Sequence, residues 1–157
     1  NAQFLAASAL YDEGKFTEAA AAFRAYLGLA SGGPLAAAAQ FGLAASEDAL
    51  GEKEKAQKGY EEVISRYGKT PEALQARVVL AKLLLANPTP DGAAKARDLL
   101  LAASQESQAG RIPDYWGREA ERMLTPLQVG AKAEDDSANE KPGETEKKKP
   151  VTAPSGE

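Results

Sequence analysis

The chain of 157 residues contains no cysteine and no histidine, and only one methionine and one tryptophan. Without cysteine there is no disulfide, no thiolate zinc site and no thiol nucleophile. Without histidine there is no imidazole ligand and no serine–histidine–aspartate triad. No apolar stretch approaches the roughly 20 residues that span a bilayer, so no membrane insertion of this segment is expected. Positive charge is not in excess either: the net charge is −4, which argues against a nucleic-acid partner. Phosphate-cradling glycine loops, zinc spacings and nucleophile elbows are missing. Neighbouring carboxylates such as Glu47-Asp48 and Glu61-Glu62 point in different directions on a helix and make no acid–base pair. The expectation is a protein that is not an enzyme and needs no metal or cofactor.

What is present is uneven along the chain. Gln128 to Glu157 has no aromatic residue, no leucine and no isoleucine, and twelve of its residues are charged. Such a stretch buries too little apolar area to offset the cost of ordering its backbone, about 1–2 kcal/mol per residue. Residues 128–157 are therefore expected to form a disordered charged tail, with Lys147-Lys148-Lys149 too short a basic run to bind a membrane or nucleic acid. Residues 1–127 are rich in alanine and leucine and poor in β-branched residues, a helical composition. The chain opens at Asn1, with Met123 its only methionine, and an upstream part is expected.

Laid against itself, the chain shows one period. Gln3-Phe4 recurs as Gln40-Phe41, Ala7 as Ala44, Gly14 as Gly51, Ala19 as Ala56, Phe23 as Tyr60 and Tyr26-Leu27 as Val63-Ile64, always 37 residues on. A third copy places Val78, Leu80 and Ala81 opposite Phe41, Leu43 and Ala44. Its second half, Ala96, Leu100 and Ala103, is displaced by three further residues. The segment Asn87-Pro88-Thr89-Pro90 accounts for the slip, because its prolines must lie between helices. A period of this length is the mark of a stacked array.

Each copy reads as two helices. The first runs over about 2–13, 35–50 and 71–86, the second over about 16–30, 53–67 and 92–107. Phe16, Ala19, Ala20, Phe23 and Leu27 illustrate the spacing. Gly14 and Gly51 stand where a first helix must stop, and Thr70-Pro71 reads as an N-cap followed by proline in the first turn. A seventh helix is expected over about 114–127, opening at Asp114 and carrying Trp116, Ala120, Met123, Leu124 and Leu127.

These features resemble the tetratricopeptide repeat. The matching residues are the small Ala7, Ala44 and Ala81 of the first helices and the turn glycines Gly14 and Gly51. To these are added Ala19, Ala56 and Ala96, each followed four positions later by the large Phe23, Tyr60 or Leu100. The spacing of 37 departs from the family's usual 34 residues. The resemblance implies an all-α, right-handed helical solenoid of three helix-turn-helix repeats (about 2–33, 35–69 and 71–107). A C-terminal capping helix over 114–127 would complete a domain of residues 1–127. The three-repeat array is also similar to periplasmic domains of ancillary translocon subunits and related envelope proteins. That similarity implies a periplasmic or membrane-associated location through a removed N-terminal segment, with a cytoplasmic location as the alternative.

The resemblance further implies a concave face lined by the first helices: Phe4, Ser8 and Tyr11, then Phe41, Ala45 and Asp48, then Gln75, Val78 and Lys82. Phe4, Phe41 and Val78 either form an apolar strip that holds a protein or peptide segment, or fill the core. Some relatives clasp a C-terminal carboxylate with lysines and asparagines on these helices. Here only Lys82 offers a charge at the corresponding positions, so that clamp is absent. Trp116 is expected to seal the open end of the array. The expected function is an interaction scaffold or adaptor. The alternatives are a self-associating structural domain, pairing as a homodimer, and a regulatory domain of a larger protein.

Overall fold

The computed structural model describes residues 1–86, 88–110 and 115–138, with the main chain alone from Val129 onward. Among the described residues it contains seven helices and no strand: α1 (Ala2–Asp12), α2 (Phe16–Ala30), α3 (Ala36–Ala49), α4 (Lys53–Arg66), α5 (Pro71–Ala86), α6 (Pro90–Gln108) and α7 (Tyr115–Ala138). Each helix packs against the next, and α3 also touches α1 and α5. This is the all-α repeat solenoid that the spacing predicts.

The first two hairpins turn in the same way, 37 residues apart. Gly14 and Gly51 take φ of 76° and 79°, a left-handed conformation in which a side chain would be strained. In the first, the Gly14 N–H donates to the Tyr11 carbonyl and the Lys15 N–H to the Leu10 carbonyl, both at 2.9 Å. In the second, Gly51 and Glu52 donate to Asp48 and Glu47 at the same distance. Each pair of bonds satisfies two carbonyls left over at the helix end. The third hairpin uses a different device. Thr89 caps α6 by accepting the Gly92 N–H at 3.0 Å, with Pro90 in the first turn, so α6 begins two residues earlier than the spacing predicts. Thr70 likewise accepts from the Ala73 N–H at 3.3 Å at the start of α5. Asn87 and Asp114 lie outside the described residues.

Packing follows the repeat. Ala7, Ala44 and Ala81 of the first helices and Ala19, Ala56 and Ala96 of the second are all fully buried. The larger partners Phe23, Tyr60 and Leu100 fill the space beside them at 3%, 2% and 0% exposure. Two glycines show how near the helices come. A Cβ on Gly42 would lie 2.5 Å from the Phe23 ring, and one on Gly59 would lie 2.7 Å from the Ala44 Cβ. Ion pairs tie the helices at their rims: Arg24 to Glu47 at 3.0 Å, Arg77 to Glu106 at 2.7 Å, and Lys95 to Glu61.

The last helix closes the stack. Ala120 and Leu124 of α7 are buried in one cluster with Leu74, Val78 and Leu100, and Trp116, Met123 and Leu127 pack on its edge. Glu119 accepts from Lys82 of α5 at 2.7 Å and from Nε and Nη2 of Arg122 at 2.8 Å each. The hydrogen bonds from Arg122 and then Lys82 hold its carboxyl down to about 2.

One boundary differs from expectation. The helix expected to stop at 127 continues to Ala138, through Pro126. Residues 139–157, Lys147 to Lys149 among them, lie outside the described residues. The absence of large apolar side chains after 127 precludes a core. It does not preclude a helix, because the packed first turns of α7 supply the nucleus and Ala131, Lys132, Ala133 and Glu134 are good helix formers that propagate it.

Gly42→Ala forces a methyl group into the buried Phe23 ring and is expected to cost about 1–3 kcal/mol in urea unfolding. Gly28→Ala at an exposed position of α2, with nothing within 4 Å, is expected to raise stability by up to about 1 kcal/mol. Glu119 titrates lower in the folded chain than its ordinary value of 4.5, so its contribution is complete above that value and is lost as pH falls towards 2. Urea midpoints measured across this range should show a shallower acid slope for Glu119→Gln than for the parent.

Candidate functional site

Because the side chains of a helix repeat their direction every three to four residues, Phe4, Ser8, Tyr11 and Asp12 lie along one side of α1. They face α3 and α5 across a cavity of about 310 Å³ that also takes in Ala38, Phe41 and Gln75. A second cavity of about 340 Å³ shares Tyr11, Phe41, Ala45 and Gln75 with the first and adds Asp48, Lys53 and Val79. Those last three also border a third, of about 530 Å³, which runs past Lys82 and Leu83 to the start of α6 at Thr89. The shared walls make one groove along α1, α3 and α5.

Phe4 and Phe41 serve both surfaces. Each is half-buried. Phe4 stacks edge-on against Phe23 at 5.9 Å and Tyr26 at 6.0 Å, and Phe41 lies 5.4 Å from Tyr60. One side of each ring completes the hairpin core, and the other lines the groove. Both rings therefore fill core space and also border the groove.

Val78 is different. It sits at the equivalent place on its own hairpin, in one cluster with Leu100, but is fully buried because α7 lays Ala120 and Leu124 over the same cluster. It lines none of the three cavities described, and its neighbour Val79 does. Of the other expected residues, Phe4, Ser8, Tyr11, Phe41, Ala45 and Gln75 meet in the first cavity, and Asp48 and Lys82 meet in the third. Asp12, Lys53, Gln57 and Leu83 are further lining residues that the spacing argument passed over. Val79 had a signal: it stands 37 residues after Gly42, itself in the first cavity.

Both lysines of the groove are paired within it or at its edge, whereas Asp12 at the first cavity has no ion-pair partner among the described residues. Lys53 bonds Asp48 at 2.5 Å. Lys82 bonds Glu119 and lies 5.9 Å from the Trp116 ring centroid. Burial, reinforced by the nearby Asp48 charge, pushes the Tyr60 phenol upward, so it stays protonated. Among the described residues no three carboxylates gather to hold a metal ion. The groove combines apolar walls, amide and hydroxyl groups, two paired lysines and the Asp12 carboxylate.

Comparison with known proteins agrees with this architecture. A family model described as tetratricopeptide repeat matches residues 4–57 and 46–107. The fold is similar to the solved structure of the Yersinia enterocolitica type III secretion translocator chaperone SycD. The two are 19% identical over 83% of each chain, with a TM-score of 0.68. Comparison with curated proteins returns no significant match. A stack of these repeats is a scaffold for protein–protein interaction. On its matched repeats and its seven-helix stack, the chain belongs to the tetratricopeptide repeat family.

Proposed function

We propose that the chain is an adaptor that docks a segment of a partner protein in the groove along α1, α3 and α5, within a cell-envelope assembly. The envelope setting rests on the sequence resemblance. The docking rests on one observation: the half-buried faces of Phe4 and Phe41 open into a groove that continues to Lys82. Aromatic side chains held rigid by their own core contacts make good anchors, since little entropy is lost when a partner covers them. The paired lysines leave shape and apolar contact as the main source of affinity.

Ala45 lines both the first and second cavities, so Ala45→Arg should block the groove at its middle. Peptides enriched from a random phage-displayed library on the parent protein are expected to bind this variant at least tenfold more weakly. Lys58→Ala on the exposed side of α4 should bind them as the parent does. Undiminished binding by a folded Ala45→Arg protein would overturn the reading.

A second reading, self-association, is favoured by the free side of α1. Ala2, Leu5, Ala6 and Ala9 stand 37 residues before Ala39, Gly42, Leu43 and Ser46. On α3 this side meets α2: Gly42 accommodates the Phe23 ring, and Ala39 and Leu43 share its cluster. On α1 the same side is open, with Leu5 at 64% exposure. Sedimentation velocity should then show a concentration-dependent dimer that Leu5→Lys abolishes. A monomer throughout the range removes this reading.

A further inference from the structure

Three polar groups at the first cavity have no hydrogen-bond or ion-pair partner among the described residues: the Gln75 amide, the Tyr11 hydroxyl and the Asp12 carboxylate. No buried side-chain nitrogen or oxygen is left unsatisfied among the described residues, so these groups, all on residues that line the cavity, are open to solvent. Gln75 lies at its middle, on the wall common to the first and second cavities. Its amide offers two donors and an acceptor. A docked helix could use them only through its side chains or its ends, because the rest of its main chain is already bonded internally. An extended segment has a free N–H and C=O at each residue and needs such a partner.

The charges are asymmetric. Asp12 is the only charged residue lining the first cavity, and it sits in the last turn of α1, where the helix dipole disfavours an anion. Farther along, both lysines already have carboxylate partners. A cation therefore finds an unspent counter-charge beside the aromatic walls, whereas an anion finds none in the groove. From Phe4 to Asp12 is eight residues, or about 12 Å along α1. An extended chain covers that distance in about four residues.

Resting on the groove reading above, we infer that the first cavity recognises an extended segment with a large apolar side chain and a lysine or arginine two to four positions away. The apolar side chain enters between Phe4, Tyr11 and Phe41. The cation meets Asp12, and the main chain between them pairs with the Gln75 amide.

The test uses two capped fluorescent peptides, Gly-Ser-Phe-Thr-Val-Thr-Lys-Ser-Gly and its counterpart with glutamate in place of lysine, titrated with the whole chain by anisotropy. The lysine peptide is expected to bind about fivefold more tightly at low salt, the size of a single exposed ion pair. Asp12→Asn, on an exposed position, should bring the two affinities together. Gln75→Leu should weaken both equally and leave their ratio unchanged. Equal affinities for the parent, a ratio that survives Asp12→Asn, or no binding of either peptide at millimolar concentration overturns the inference. Loss of binding in Ala45→Arg with a flat lysine-to-glutamate ratio would leave the groove reading standing and this one refuted.

Discussion

Close approach of helix to helix is the constraint on which this molecule is built, and small residues at fixed places make it possible. Ala7, Ala44 and Ala81 on the first helices and Ala19, Ala56 and Ala96 on the second are all wholly shielded from solvent. At each such place a backbone comes near enough to its neighbour for a larger residue alongside to fill the remaining space. Gly42 and Gly59 take this furthest, since neither has room for even a methyl group beside Phe23 or Ala44. Buried area and dispersion then accumulate from repeat to repeat, each contributing one layer of the same kind.

The groove is a by-product of that packing. With small residues facing inward, the aromatic rings of α1 and α3 seat one side in the core and leave the other exposed. The wall is thereby held in place by the same contacts that stabilise the hairpins. Such preorganisation reduces what a partner must give up in ordering the surface it covers. At the other end of the stack, α7 replaces the next repeat, covers Val78 and converts that end into a charged rim through Glu119, Lys82 and Arg122.

The groove and the free side of α1 both present apolar surface without an internal partner, and they differ in kind. The groove is concave, mixes aromatic walls with amide and hydroxyl groups, and carries one carboxylate without a counter-charge. The free side of α1 has alanines and Leu5, with no polar group to specify an orientation. The proposed recognition is assigned to the first, because directional groups discriminate between partners better than apolar area alone.

Helix positions, the hairpin glycines and the order of the repeats were legible in the sequence because each depends on neighbours a few residues away. A helix needs only a hydrogen-bond ladder and a regular apolar side, and a repeat displays that pattern again 37 residues later. Most of the groove was legible for the same reason: equivalent positions on successive first helices must point alike. Val78 and the end of α7 were not. Whether Val78 or Val79 is open depends on α7 crossing over α5 some forty residues farther on, in a helix that is not a copy of the repeat. The continuation of α7 past 127 depends on a nucleus built by tertiary packing. The sequence by itself determined the helices, their pairing and the side each presents; only the assembled stack decided which of those sides remained uncovered, because covering is a property of distant partners and not of spacing.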